Sequence, residues 1–242
     1  MAVRFDHIAI AVSRIADVTG VLVGALGGEP AFGSSSRFFQ FGQWRFAGGG
    51  RLEVLEPVGP PDGFLRRFLA QNGPGIHHVT FKVPDIREAC ARAEGFGYKI
   101  VGFDDSNPYW KEAFLHPKQA LGIVVQLAQM ARTSAGAPSM SWQPPQAPPN
   151  PPAPVTVLGL RMTARSRERA DVQWRQILQA EPSEAGGEVV YRWERSPLTI
   201  TVAIDPAAEE GPVAIELATD RAVGIPAGRH PVLGALFVPR QR

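Results

Sequence analysis

Gly75-Ile76-His77-His78-Val79-Thr80-Phe81-Lys82-Val83-Pro84-Asp85-Ile86 reads as a loop, a short apolar strand and a helix start at Pro84-Asp85. A counterpart lies near the N-terminus, Phe5-Asp6-His7-Ile8-Ala9-Ile10-Ala11-Val12-Ser13-Arg14-Ile15. His7 falls on His78, Val12 on Val83 and Ile15 on Ile86, at a constant offset of 71 residues. The same strand-then-helix unit therefore occurs twice, each time with a histidine at the start of its strand.

Both units continue alike. In the first, Arg37 to Phe41 and Gln43 to Phe46 read as a hairpin turning at Gly42, and Gly48-Gly49-Gly50 is a turn. Arg51-Leu52-Glu53-Val54-Leu55-Glu56-Pro57 is then a strand that ends at proline, which makes residues 4–57 a β-α-β-β-β module. A short helix from Gly63 to Leu69, opened by Asp62, connects it to the second module at 76–129. There a helix over 85–96 is followed by strands at 98–103, 110–116 and 122–129. Gln126 falls where Glu53 falls, at an offset of 73 residues, so two residues have been inserted in a loop between them.

Residues 131–154 change character. Gln143-Pro144-Pro145-Gln146-Ala147-Pro148-Pro149-Asn150-Pro151-Pro152-Ala153-Pro154 predicts an extended polyproline II spacer and a domain boundary. Beyond it, residues 155–220 read as a third, divergent module: a strand over 157–164, a helix from Arg167 capped by Ser166, and strands at 189–193, 198–204 and 213–218. Arg161 takes the place of His7 and Glu216 that of Glu53. The tail, 221–242, reads as irregular. The predicted class is thus α+β, with three β-α-β-β-β modules. The first two pair into a cupped mixed sheet and the third follows the proline-rich linker.

Composition narrows the function. The chain has 242 residues with a formal net charge of +2, so nothing points to nucleic acid or an anionic membrane as partner. Its single cysteine, Cys90, excludes an intrachain disulfide framework and a cysteine metal cluster. The N-terminus has no long apolar stretch, and no window reaches the ~18 apolar residues of a membrane span. A cytoplasmic protein acting on a small molecule is the expectation.

Pairing the first two modules would bring matching positions together: His7 and His78 from the first strands, Glu53 and Gln126 from the last. Two imidazoles, a carboxylate and an amide oxygen suit a divalent ion with open positions. Side-chain alternation sets Ile8 and Ile10 away from His7, whereas Ala9 and Ala11 share its face and leave room beside it. His77 reads as structural. His116, before Pro117, and His230, in the tail, are not counted as ligands. For Phe39, Phe41, Trp44 and Phe46, core packing outweighs a role in a pocket.

Asp6-His7-Ile8-Ala9-Ile10-Ala11-Val12, Leu52-Glu53-Val54-Leu55-Glu56-Pro57, Gly75-Ile76-His77-His78-Val79 and Val124-Val125-Gln126-Leu127 together resemble the vicinal oxygen chelate superfamily. The likeness is greatest to its methylmalonyl-CoA epimerase-like and glyoxalase I-like members. It covers residues 4–129, and 156–219 only as a divergent module. The resemblance implies a divalent ion (Ni, Co, Mn, Mg, Zn or Fe) held by His7, Glu53, His78 and Gln126. It also implies a metal-dependent isomerase or lyase that acts through an enolate on a small oxygen-rich carbonyl substrate. Such proteins usually carry glutamate where this chain has Gln126, and an amide cannot accept a proton. The candidate bases are therefore Glu53 and Glu112. The same substitution weakens an extradiol dioxygenase reading and leaves a non-catalytic, resistance-type binding protein as the alternative. The third module, having no mate in the chain, is expected to pair with its counterpart in a homodimer.

Overall fold

In the computed structural model, which describes residues 2–131 and 142–241, the two repeated stretches become β1 (Arg4–Ala11) and β5 (Gly75–Lys82). Residues 132–141 of the expected linker lie outside the described residues. After β1 come a 3-10 turn, Ile15–Val18, a wider helical turn, Gly20–Ala25, and strands β2 (Glu29–Ser35), β3 (Phe39–Arg45) and β4 (Arg51–Pro57). Helix α1 (Phe64–Asn72) leads into β5, and α2 (Ile86–Gly95) leads into β6 (Ile100–Asp104), β7 (Trp110–Leu115) and β8 (Val124–Met130). Next are β9 (Thr156–Ala164), a helical run from Arg167 to Ile177, β10 (Glu181–Ala185), β11 (Glu188–Arg192), β12 (Thr199–Ile204), β13 (Gly211–Thr219) and β14 (Phe237–Gln241). The class is mixed α+β, rich in strands. No described helix is long and apolar enough to cross a membrane.

Two mixed sheets carry these strands, one ordered β2-β3-β4-β1-β5-β8-β7-β6 and the other β10-β11-β12-β9-β13-β14. In each repeat the first strand pairs in parallel with the last: Ala9 lies against Glu53, and Thr80 against Gln126. The helix starts repeat as well. The N–H of Ile15 donates to the Glu56 carboxylate at 2.7 Å, and that of Ile86 to Gln129 Oε1 at 2.8 Å, each satisfying an N–H that has no partner within its own helix.

The chain divides into two compact units. One comprises Met1–His7, His78–Pro138 and Gly159–Val213, the other Ile8–His77, Ser139–Leu158 and Ala214–Arg242. In the first, Phe5 stacks on Phe81 at 4.8 Å, and Phe81 packs against Trp193 at 4.8 Å and Trp174 at 6.0 Å. Arg92 Nε donates to the Ile177 carbonyl at 2.8 Å, tying α2 to the later helix. Burying this many large aromatic faces supplies much of the apolar driving force for the unit.

In the second unit Trp44, Leu22 and Leu26 are fully buried. Gly42 is not the hairpin turn that the sequence suggests. It sits inside β3 opposite Gly33 of β2, and a Cβ on either residue would come within 2.4 Å of the Trp142 ring. The two glycines make a slot for that indole, which also meets Trp44 edge-on at 5.7 Å. A glycine within a strand here marks a close approach, not a reversal. The proline-rich segment past residue 141 is likewise no free spacer. The Val155 N–H bonds the Leu26 carbonyl at 3.0 Å, Pro148 lies over Gly24, and Arg221 reaches the carbonyls of Ala25 and Ala153.

Residues 156–241 depart from the expected module in three respects. A strand, β10, follows the helix directly where only a helix end was anticipated. β12 pairs in parallel with β9, with Thr201 against Arg161. That register makes Arg161 the counterpart of Ala9 and Thr80, and Thr201 the counterpart of Glu53 and Gln126. Glu216, on β13, therefore does not hold the Glu53 position, and Gly159 stands where His7 was matched. The helix caps agree, since Arg14, Asp85 and Ser166 each follow seven residues after His7, His78 and Gly159. Finally, the tail is not irregular throughout: β14 pairs in parallel with β13.

Candidate metal and proton-transfer site

His7 and His78 occupy the same place on their strands, and both are buried. Their rings lie 6.0 Å apart, inclined at 68°. The Asp6 carboxylate meets His7 Nδ1 at 3.0 Å and accepts from Arg4 at 2.9 Å. Burial alone would raise the Asp6 carboxyl, but the His7 hydrogen bond and the charges of His7, Lys82 and Arg4 outweigh it and hold it well below the usual carboxylate range. An anchored Nδ1 fixes the tautomer and leaves Nε2 as the ligating nitrogen.

Glu53, buried in the middle of β4, accepts from Gln43 Nε2 at 2.7 Å, its direct neighbour across the β3–β4 ladder. One ligand atom each from His7, Glu53 and His78 falls within 4.8 Å of the other two. Ligands of one ion with bonds of about 2.1 Å stand about 3.0–4.2 Å apart, so small side-chain rotations close the set. Two neutral imidazoles and a carboxylate suit a divalent transition metal, and all three come from strands, which hold them stiffly. The donor set fits such an ion.

Gln126 is buried on β8 with its amide engaged at both ends. Oε1 accepts from Thr80 Oγ1 at 2.6 Å, and Nε2 donates to Glu112 Oε2 at 2.8 Å. Trp110 Nε1 donates to the same Glu112 oxygen at 2.8 Å, and the Lys82 ammonium rests 3.6 Å from the Trp110 ring. The last two strands of each repeat thus carry one glutamate and one glutamine joined by a hydrogen bond. In the first repeat the carboxylate is on the last strand and the amide on its neighbour; in the second they are exchanged.

The other histidines lie apart from this set. His77 packs edge-on against Phe68 at 4.8 Å and beside Phe64 at 5.8 Å. Burial pushes its pKa down to about 4, with the Glu53 charge opposing that shift. His116 Nδ1 accepts the Lys118 N–H, and His230 Nδ1 the N–H groups of Val232 and Leu233, so both brace turns. Sequence reasoning missed Asp6 and Gln43. An acidic residue immediately before a strand histidine was the available sign for Asp6. Gln43 could be found only from the register.

The chain belongs to the glyoxalase/bleomycin resistance protein/dioxygenase superfamily, whose model matches residues 6–114. Among its relatives is the ethylmalonyl-CoA/methylmalonyl-CoA epimerase of Cereibacter sphaeroides, 32% identical over 140 residues that span 52% of this chain and 98% of that protein. The mitochondrial methylmalonyl-CoA epimerase of Mus musculus is 31% identical over 140 residues, 52% of this chain and 72% of its own. A hypothetical protein from Staphylococcus aureus superposes over 100% of both chains with a TM-score of 0.65 at 10% identity, a likeness of fold alone.

Proposed function

We propose that this protein is a metal-dependent epimerase that exchanges the proton alpha to a carbonyl in a 2-substituted malonyl thioester or a close analogue. The observation that carries the reading is the convergence of His7, Glu53 and His78 ligand atoms within 4.8 Å, and the epimerase relatives support it. His7, Glu53 and His78 would hold the ion, with Gln126 Oε1 as the fourth donor. A divalent ion there supplies Lewis acidity that favours negative charge on the substrate's carbonyl oxygen.

The chain's own residues do the rest. Asp6 orients His7, and Gln43 orients Glu53. Glu112 is the base: Trp110 and Gln126 both bond its Oε2, which fixes the carboxylate and leaves Oε1 to take the proton. The C–H electron pair passes into the adjacent carbonyl as the proton moves to Glu112. Glu112 trades the proton it has taken with solvent, so its return to the same face gives exchange. Protonation of the other face by a solvent water, with Glu112 releasing its own proton to solvent, gives the epimer. Glu53, spent on the ion, is the weaker candidate for this role. In this reading residues 4–57 and 76–129 are the modules that hold the ion. Residues 155–220 hold none, because Gly159 and Thr201 stand at the ligand positions. A Cβ at Gly159 would come within 1.9 Å of the Thr199 carbonyl oxygen, so no ligand side chain fits there.

The test is solvent deuterium incorporation into methylmalonyl-CoA by metal-supplied protein. Stoichiometric metal with no exchange into any 2-acyl thioester would overturn the proposal. That result would favour the second reading, a ligand-binding protein of the resistance type, which the doubly engaged Gln126 amide supports.

A further inference from the structure

The sheet face that carries Glu53 in the second unit is lined by aromatics that the proton-transfer chemistry does not use. Phe39, Phe41 and Gln43 alternate onto one face of β3, and Gln43 identifies that face as Glu53's. Phe32 stands opposite Gln43 across the β2–β3 ladder, and its ring lies 5.7 Å from Phe41. Phe39 and Phe41 are 6.3 Å apart, and Phe39 meets Phe64 of α1 at 5.7 Å. Ala9, Ala11, Leu55 and Leu65 form the buried floor against which Phe39, Phe41 and Phe68 pack. Of the four hairpin aromatics, Trp44 and Phe46 are core, but Phe39 and Phe41 are only half-buried.

The two faces of this hairpin differ. On the back, the Gly33–Gly42 slot is filled by the chain's own Trp142. On the front, Phe32 is 46% exposed and Phe64 42%. A strand advances about 7 Å per two residues, so the aromatic row begins about 7 Å from the Gln43–Glu53 pair and extends about 7 Å further. That is the reach of a benzyl group or a chain of about four to six carbons, not of a methyl.

We infer that Phe32, Phe39, Phe41, Phe64 and Phe68 form the subsite for the apolar substituent at the substrate's reacting carbon, which selects a bulky alkyl or aryl branch. The inference rests on the epimerase reading above and names its substrate class. The occupant is substrate because the row runs on along β3 from the Gln43–Glu53 pair, and Phe32 and Phe64 within it stand exposed.

The experiment compares 2-benzylmalonyl-CoA with methylmalonyl-CoA in deuterium exchange, together with calorimetric binding of both. The protein is tested as wild type, Phe41→Ala and the more exposed Phe64→Ala. Wild type is expected to favour the benzyl thioester, and each variant to lower the benzyl-to-methyl ratio of kcat/KM by about tenfold or more. Exchange with a ratio that neither folded variant alters would overturn the subsite while the epimerase reading stands. Absence of exchange, with benzyl-thioester binding weakened by the same variants, would keep the subsite and overturn the epimerase reading. If the variants instead dissociate a dimer, the row is a contact between copies and the inference fails.

Discussion

Gln43 and Glu53 face each other across β3 and β4, joined by a 2.7 Å hydrogen bond from the amide to the carboxylate. The second repeat has an amide-to-carboxylate bond as well, with its members exchanged and set on a diagonal: Gln126, which faces Phe114, donates to Glu112, which faces Ala128. Repeats that began alike have thus placed the carboxylate on different strands, one beside the histidines and one a strand away. Glu53→Gln is expected to lower bound metal severely. Glu112→Gln should keep its metal and lose about 10²–10⁴ in exchange rate, the usual worth of a positioned base. Metal content and deuterium exchange measured on both variants separate the roles, and equal metal loss in the two would show that they act as one.

In the proposed site Asp6 would act through His7, whose Nδ1 its carboxylate meets at 3.0 Å. Asp6→Asn keeps the shape and removes the charge that fixes Nδ1, so metal affinity should fall about 10–100-fold with the fold intact. Competition against a calibrated chelator reads this directly. Unchanged affinity would mean that the ring is oriented by something else.

Cys90 gives a prediction on pH. Burial, reinforced by the Glu94 charge, pushes its thiol up to about 11, so the neutral form dominates at and above physiological pH. Alkylation by iodoacetamide in the native protein should be slow at pH 7 and rise about tenfold per pH unit until near that value. Rapid stoichiometric labelling at pH 7 would contradict the placement.

Gly42→Val fills the indole slot. It should expel Trp142, shift the tryptophan fluorescence to the red, and destabilise the protein by about 1–3 kcal/mol, as overpacking does. Urea denaturation followed by fluorescence measures both effects.

The order of the second sheet bears on assembly. β13 is the neighbour of β9 on the side away from β12, so the edges of the second sheet are β10 and β14. The expected homodimer would pair through such an edge, and sedimentation at micromolar concentration should then give a species near twice the chain mass of 26.2 kDa; a species near 26.2 kDa would count against it.

Much of this was legible from the residues. The offset between His7 and His78 exposed the repeat, and carrying it to the last strands found Glu53 and Gln126, because strands of matched length keep matched positions. Local patterns failed where distant chain intervened. Gly42 read as a turn because nothing nearby explains a glycine there; Trp142, a hundred residues away, does. Arg161 was aligned to His7 by its place in an apolar run, and only pairing with β12 revealed a shift of two residues. Glu216 was misassigned because strand count, without partners, cannot tell the last strand of one module from the first strand after it.

Trp142 in its glycine slot has a practical corollary for dissection of the chain. A fragment ending near residue 130 would keep every residue named in the metal site, yet it would leave an open trench between Gly33 and Gly42 and an unsealed Leu26 carbonyl. Such a half is expected to be sticky and poorly soluble, even though its relatives of similar length are whole proteins. Here the later sequence has become the earlier half's upholstery, and the two can no longer be sold separately.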